Sequence, residues 1–245
     1  MRQTAGIILA LDVPSLQEAV GLVKATSPHI HAYKVGLELV HAAMTGRPFD
    51  SLREAGAPAI FYDAKLHDIP NTVAGALRAM TPHRLWMVNV HAAGGRRMVR
   101  AAAEAVRQNF EQTGHRTLLV AVTLLTSLSA EELQSELQSP CSPEAYVLSL
   151  ARLAQDAGAD GVVASPHEIE AVRRACGPDF VIVTPGIRPF GASTHDQRRT
   201  MSPAEAVRRG ADYLVVGRAI TGAGDPAAAA AEIAREAAAA HAEGD

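Results

Sequence analysis

Short apolar runs alternate along the whole chain with longer stretches in which apolar positions recur at helical spacing. The runs fall at 6–11, 32–36, 59–63, 85–91, 117–123, 161–165, 180–184 and 213–217. Each is nearly continuous, the pattern of a parallel strand buried on both faces, because neither face meets water. Between them lie helical patterns at 15–26, 95–108, 144–158 and 203–209. Ser15 with Glu18 three residues on fits a capping box, and Ser202-Pro203 puts proline at a first helical position. Helix-stop signals precede several runs: Ala-Gly-Ala at 55–57 and 157–159, and Arg-Gly-Ala at 209–211. Eight strand–helix units in series predict an α/β chain folded as one (β/α)8 TIM barrel over residues 1–245. An open doubly wound sheet is the alternative that the same alternation allows. No Pro/Gly/Ser-rich linker divides the chain. The longest insertion after a strand is 127–143, and the Ala-rich stretch 226–240 predicts a final helix.

Composition narrows the partners. The 245 residues are 48% apolar and 20% charged, ordinary for a globular chain that can bury a sizeable core. A net charge of −3 offers no general attraction for nucleic acid or a membrane surface. A phosphorylated ligand must therefore be held by a local basic site. Cys141 and Cys176 have neither metal-ligand spacing nor the look of a disulfide framework, which points to a reduced, cytoplasmic setting. The apolar run near the N-terminus is too short to span a membrane and lacks a small-residue cleavage site, so it reads as the first strand.

Polar residues cluster where such a barrel does chemistry, at the C-terminal ends of its strands. The first run ends at Asp12, the second carries Lys34, the third Asp63 and then Lys65, and the fourth ends in Asn89 and His91. Four charges on three neighbouring strand ends need a reason, because an unpaired charge in a barrel interior costs several kcal/mol or more. Strand alternation places Asp63 and Lys65 on one side, while Asp68 falls beyond the strand. A buried structural ion pair would give the same local pattern. Asp12 and Lys34 on adjacent strands extend it into alternating charges around one mouth. A lysine between carboxylates is held as its ammonium form, which suits a general acid beside a developing carbanion and not a Schiff-base nucleophile.

The ends of the seventh and eighth runs supply Pro185, Gly186, Arg188, Gln197, Gly217 and Arg218, where barrels often hold phosphate on backbone N–H groups. Each alone reads as a turn glycine or a solvated arginine; together, at these strand ends, they predict a phosphate site. His91 is as readily structural as catalytic, and His29, His31 and His41 are expected at or near the surface. Asn71-Thr72 forms a polar turn in which Thr72 either caps a helix or touches a ribose hydroxyl. No histidine lies at helical ligand spacing with acidic partners, so no metal site is expected.

The segment Asp63-Ala-Lys65-Leu-His-Asp68-Ile69-Pro-Asn-Thr72 resembles the D-x-K-x-x-D signature of the orotidine 5′-phosphate decarboxylase family. Ala-Leu-Asp12, Tyr-Lys34-Val-Gly, Asn89-Val-His91-Ala, Val-Thr-Leu-Leu-Thr126-Ser127, Thr184-Pro185-Gly186-Ile-Arg188-Pro, Asp-Gln197-Arg-Arg and Val-Gly217-Arg218-Ala-Ile-Thr follow in family order, over about residues 6 to 222. The pattern is most similar to the bacterial branch.

The resemblance implies decarboxylation of orotidine 5′-monophosphate to UMP, the last step of de novo UMP synthesis, with no metal or organic cofactor. It implies that Lys65 protonates C6 and that Asp63 sits against the departing carboxylate. Asp68 and Thr72 would reach a neighbouring subunit's site in a homodimer, and Ile69 would be substrate-binding. Asp12 and Lys34 would take ribose hydroxyls, and Thr126 would face the pyrimidine. Gln197 would bridge base and phosphate. Arg218 with the Gly186 and Gly217 backbones would hold the phosphate, and Arg188 would open a closing loop of about 15 residues after Pro185. Rival readings remain. Mg2+-dependent relatives, keto-gulonate phosphate decarboxylase and hexulose phosphate synthase, share the array but carry an acidic residue where this chain has Lys34. A catalytically silent nucleotide-binding barrel and a Schiff-base aldolase complete the set.

Overall fold

The computed structural model describes residues 5–43, 46–188 and 201–242. Its eight strands are β1 (Gly6–Ala10), β2 (Ala32–Val35), β3 (Ile60–Leu66), β4 (Met87–His91), β5 (Leu118–Val122), β6 (Gly161–Val163), β7 (Val181–Thr184) and β8 (Tyr213–Val216). Each pairs in parallel with the next, and β8 pairs with β1, which closes the barrel and excludes the open sheet. Closure leaves no strand edge unpaired.

The repeated helix-stop signal has one physical form. Gly56, Gly158 and Gly210 all adopt positive φ (107°, 93° and 102°), which a Cβ disfavours. The alanine after each donates its N–H back to the preceding helix, Ala57 to Leu52, Ala159 to Ala154 and Ala211 to Ala206, at 3.0 Å each. Those bonds satisfy carbonyls that the helix end would otherwise orphan, and they turn the chain into the next strand. At the opposite helix ends, Ser15 accepts the Glu18 N–H and Ser202 accepts the Glu205 N–H, both at 3.2 Å, with Pro203 in the first turn. Inside the 127–143 insertion a further helix, Ala130–Ser135, starts on a full capping box between Ser129 and Glu132. The alanine-rich tail forms the helix Pro226–Ala242, which buries Ala230, Ile233 and Ala237.

Strand alternation divides the apolar side chains into two sets. Ile7, Leu9, Tyr33, Val88, Leu119, Ile182 and Leu214 face the helices. Ile8, Ala32, Phe61, Met87, Val120, Val183 and Val215 fill the barrel interior. Below them His31, Trp86 and Tyr213 close the N-terminal end, with ring centroids 4.9 to 5.3 Å apart. The interior is thus a packed floor, open only at the strands' C-terminal ends. No described helix is long and apolar enough to cross a membrane.

Candidate active site

A cavity of about 480 Å³ sits at that open end. It is lined by the next inward positions along the same strands, so its composition follows from register. Ala10, Lys34, Asp63, Asn89, Val122, Pro185 and Gly217 lie two residues beyond Ile8, Ala32, Phe61, Met87, Val120, Val183 and Val215. The β1–β4 side is polar. The β5–β7 side is apolar, built from Val122, Leu124, Leu125, Val163, Pro185 and Ile187. Arg188, Gly217 and Arg218 line the end nearest β7 and β8, and Thr126 joins from the chain after β5.

The expected charges form one continuous array. Lys34 Nζ lies 3.0 Å from Asp12 Oδ1 and 3.1 Å from Asp63 Oδ2, and Lys65 Nζ lies 2.7 Å from Asp63 Oδ1. Positive and negative groups alternate, which is how buried charges are tolerated. Burial opposes ionisation of Lys34, but the Asp63 and Asp12 charges and their hydrogen bonds outweigh it and hold its pKa above the ordinary lysine value. Burial likewise opposes ionisation of Asp63, and the Lys34 and Lys65 charges, with hydrogen bonds from Lys65 and Asn89, hold its carboxyl below the usual range. Asp12 is the outermost member, with its side chain half exposed.

Asp63 and Lys65 converge, but plain alternation is not the reason. Between β3 and β4 the pairing runs Tyr62 to Val88 and then Leu66 to Val90, so β3 bulges by two extra residues. Within the bulge Lys65 adopts φ of 47°, a left-handed conformation that costs a non-glycine residue about 1–3 kcal/mol unless its surroundings hold it. What holds it is Asn89, whose Oδ1 accepts the Lys65 N–H at 2.7 Å while its Nδ2 donates to Asp63 Oδ1 at 2.6 Å. The sequence marked Asn89 only as a strand end. Its pairing with position 65 depends on the bulge, which no residue pattern announces.

Two further residues were not anticipated. A Cβ on Gly36 would stand 3.2 Å from Asp12 Oδ1 and 3.3 Å from Lys34 Nζ, so a side chain there would press on the ion pair. Glu38, in the first turn of the helix Leu37–Ala42, lines the cavity mouth, and nothing in its context distinguished it from a solvated helix acid.

Asp68, Ile69 and Thr72 are exposed and do not line this cavity. Asp68 Oδ1 accepts the Ile69 N–H at 2.6 Å. Thr72 is not a helix cap: the helix Pro70–Ala79 begins after Ile69, and the Thr72 N–H already donates to the Ile69 carbonyl. Thr72 stands three residues past the Ile69 cap position, inside the first turn, where its side chain cannot act as the N-cap. Gly186 adopts φ of 81°, and its carbonyl accepts the Met201 N–H, while Arg188 donates its N–H to the Met201 carbonyl. The chain leaving β7 is thereby tied to residue 201. Gln197 and most of the expected closing loop lie outside the described residues. His91 faces His67 with ring centroids 5.3 Å apart, and burial, then the neighbouring His67 and Lys65, lower its pKa. His29 and His41 are exposed, as expected, and His31 keeps exposed surface while its ring packs against Trp86 and Tyr213.

The chain is similar to known proteins over nearly its whole length. The model of the orotidine 5′-phosphate decarboxylase / HUMPS family matches residues 6–233. The orotidine 5′-phosphate decarboxylase of Moorella thermoacetica is 52% identical over 94% of this chain and 91% of its own length. That of Chromohalobacter salexigens is 48% identical over 94% of both. Among solved structures, orotidine 5′-phosphate decarboxylase from Lactobacillus acidophilus superposes with a TM-score of 0.82 at 36% identity, covering 95% of this chain and 98% of its own.

Proposed function

The chain belongs to the orotidine 5′-phosphate decarboxylase / HUMPS family, and we infer that it is a lyase that releases CO2 from orotidine 5′-monophosphate to leave UMP, the last step of de novo UMP synthesis. The observation that carries the inference is the Asp12–Lys34–Asp63–Lys65 array at the mouth of an otherwise apolar barrel.

The chemistry asks for such an array. Breaking the C6–carboxylate bond leaves its electron pair in an sp² orbital that the ring carbonyls delocalise poorly. Stabilisation must come from positive charge fixed beside C6 in advance. The Lys65 ammonium supplies that charge and then the proton: its N–H bond breaks as the C6–H bond forms, and solvent restores the lysine. Asp63, held ionised by its neighbours, lies against the substrate carboxylate and favours its departure. The apolar β5–β7 wall and Thr126 take the pyrimidine, and Asp12 and Lys34 take ribose hydroxyls. Arg218, with the Gly186 and Gly217 backbones, holds the phosphate. Pro185 and Arg188 line the phosphate end of the cavity. Phosphate binding far from C6 lowers the barrier where its energy is realised only in the transition state.

The exposed Asp68-Ile69 turn and Thr72 support a homodimer in which each chain completes the other's site. Ile69 is 66% exposed beside the mouth, an apolar surface that a second copy would cover. We read residues 1–245 as one catalytic domain working in the cytoplasm, with neither nucleic acid nor membrane as partner. Lys34 decides against the Mg2+-dependent relatives: an ammonium shared by two carboxylates stands where those carry an acidic metal ligand, and it repels a divalent cation.

The test is the absorbance change as orotidine 5′-monophosphate is consumed, with and without EDTA. Equal loss in both is expected. UMP binding without turnover would show a silent barrel, and loss abolished by EDTA would show a metal-dependent relative.

A further inference from the structure

We propose that Asn89 is the positioning residue of this site: its buried side-chain amide locks the Lys65 backbone and the Asp63 carboxylate into one unit and so aims the Lys65 ammonium into the cavity before substrate arrives. The kinetic part of this proposal rests on the decarboxylase reading; the structural part does not.

Asn89 is 1% exposed and uses both ends of its amide inside the site. Its Oδ1 takes the Lys65 N–H, and its Nδ2 reaches the same Asp63 oxygen that receives Lys65 Nζ. The contacts close a ring from the lysine backbone through Asn89 and Asp63 to the lysine's own ammonium. The amide's orientation is dictated by its partners, since an N–H must face its oxygen and a carboxylate its nitrogen.

The β-ladder cannot do this. Residues 63–65 lie in the bulge between the Tyr62–Val88 and Leu66–Val90 pairs, so the Lys65 N–H has no strand carbonyl opposite it. A buried orphan donor is disfavoured, and the left-handed backbone at Lys65 has no steric reason of its own to persist. One planar group carrying an acceptor and a donor answers both needs. Aspartate at 89 would lose the donor and set a second carboxylate against Asp63. Alanine would leave the Lys65 N–H unbonded and let the backbone relax to negative φ, withdrawing the ammonium from its aim.

The experiment compares wild type with Asn89→Ala and Asn89→Asp for kcat, KM, UMP affinity by calorimetry, and unfolding. For Asn89→Ala kcat should fall roughly 100-fold, the scale expected when a reacting group is misplaced by about 1 Å, with KM and UMP affinity nearly unchanged. For Asn89→Asp part of the lost kcat should return as pH is lowered, because a neutral carboxyl regains a donor while keeping an acceptor; wild type should show no such rise. Retention of wild-type kcat by Asn89→Ala would overturn the proposal. So would loss of kcat, UMP affinity and stability together with no acid recovery in Asn89→Asp. If neither variant folds, hydrogen exchange of the Lys65 amide in the wild-type protein decides: strong protection supports the clamp, and free exchange overturns it. A wild-type protein inert on orotidine 5′-monophosphate would instead overturn the decarboxylase reading, while amide protection still decides whether Asn89 positions Lys65.

Discussion

One step along the inner face of the barrel changes the chemistry of three neighbouring strands. Ala32 on β2, Phe61 on β3 and Met87 on β4 belong to the floor; two residues on, the same strands present Lys34, Asp63 and Asn89 to the cavity. On the far side the same step leaves Val120 followed by Val122 on β5 and Val183 followed by Pro185 after β7. Floor and mouth are both buried, so burial does not decide which residues are allowed. The floor is held by area removed from water and needs no particular partner. The mouth is held by mutual compensation, in which each charge is tolerated because its neighbour is there. Ala32 and Met87, floor residues that do not line the cavity, can thus be replaced at a cost to stability alone, whereas a change at the mouth reaches the chemistry.

The sharpest break between the two regions is Lys65→Ala. Turnover of orotidine 5′-monophosphate should fall by at least roughly 10³-fold, since general acid and fixed charge are lost together, while UMP binding measured by calorimetry stays largely intact. Mixing that variant with inactive Asp68→Asn should restore part of the activity through hybrid dimers. No recovery after demonstrated subunit exchange would remove the claim that Asp68 serves the neighbouring site.

Met87→Ala should show the opposite profile. Met87 is fully buried and does not line the cavity. Its truncation should cost about 2–5 kcal/mol in denaturant unfolding and leave kcat near the wild-type value. A large fall in kcat with stability unchanged would erase the distinction between floor and mouth.

The smallest effect is the pH dependence of stability. Burial lowers the pKa of His31 at the floor and of His91 near the mouth below 6.5. Both are favoured neutral in the fold, so the unfolded chain binds more protons as pH falls through 6.5, and stability should decline from there toward the lowered folded values. Asp63 is depressed below 3.8, so its contribution is present above that value and is lost as pH falls through its folded pKa. Unfolding midpoints measured from pH 8 to 3 should show the histidine loss first, and His91→Gln should lessen it.

The barrel was legible because eight apolar runs and three glycine stops repeat one local rule, and local rules survive translation into three dimensions. The strand ends shifted by only a residue or two, except on β3, which continues to Leu66 because of its bulge. The charges were legible because Asp12, Lys34, Asp63 and Lys65 are costly in a barrel interior and so announce a purpose. What stayed hidden depends on contacts between distant positions: Asn89 against Lys65, 24 residues apart, and Gly36 beneath the Asp12–Lys34 pair. An asparagine at a strand end and a glycine before a helix look ordinary until the chain is folded. Thr72 shows the reverse error, since a threonine near a helix start suggested a cap, yet it stands three residues past the Ile69 cap position, inside the first turn.

The most direct test is a crystal structure of the protein with UMP bound. Lys65 Nζ should lie within about 3.2 Å of C6, close enough to deliver a proton, with the phosphate on Arg218 and the neighbouring glycine backbones. A pyrimidine ring seated away from Lys65, or an ammonium turned out of the cavity, would contradict it.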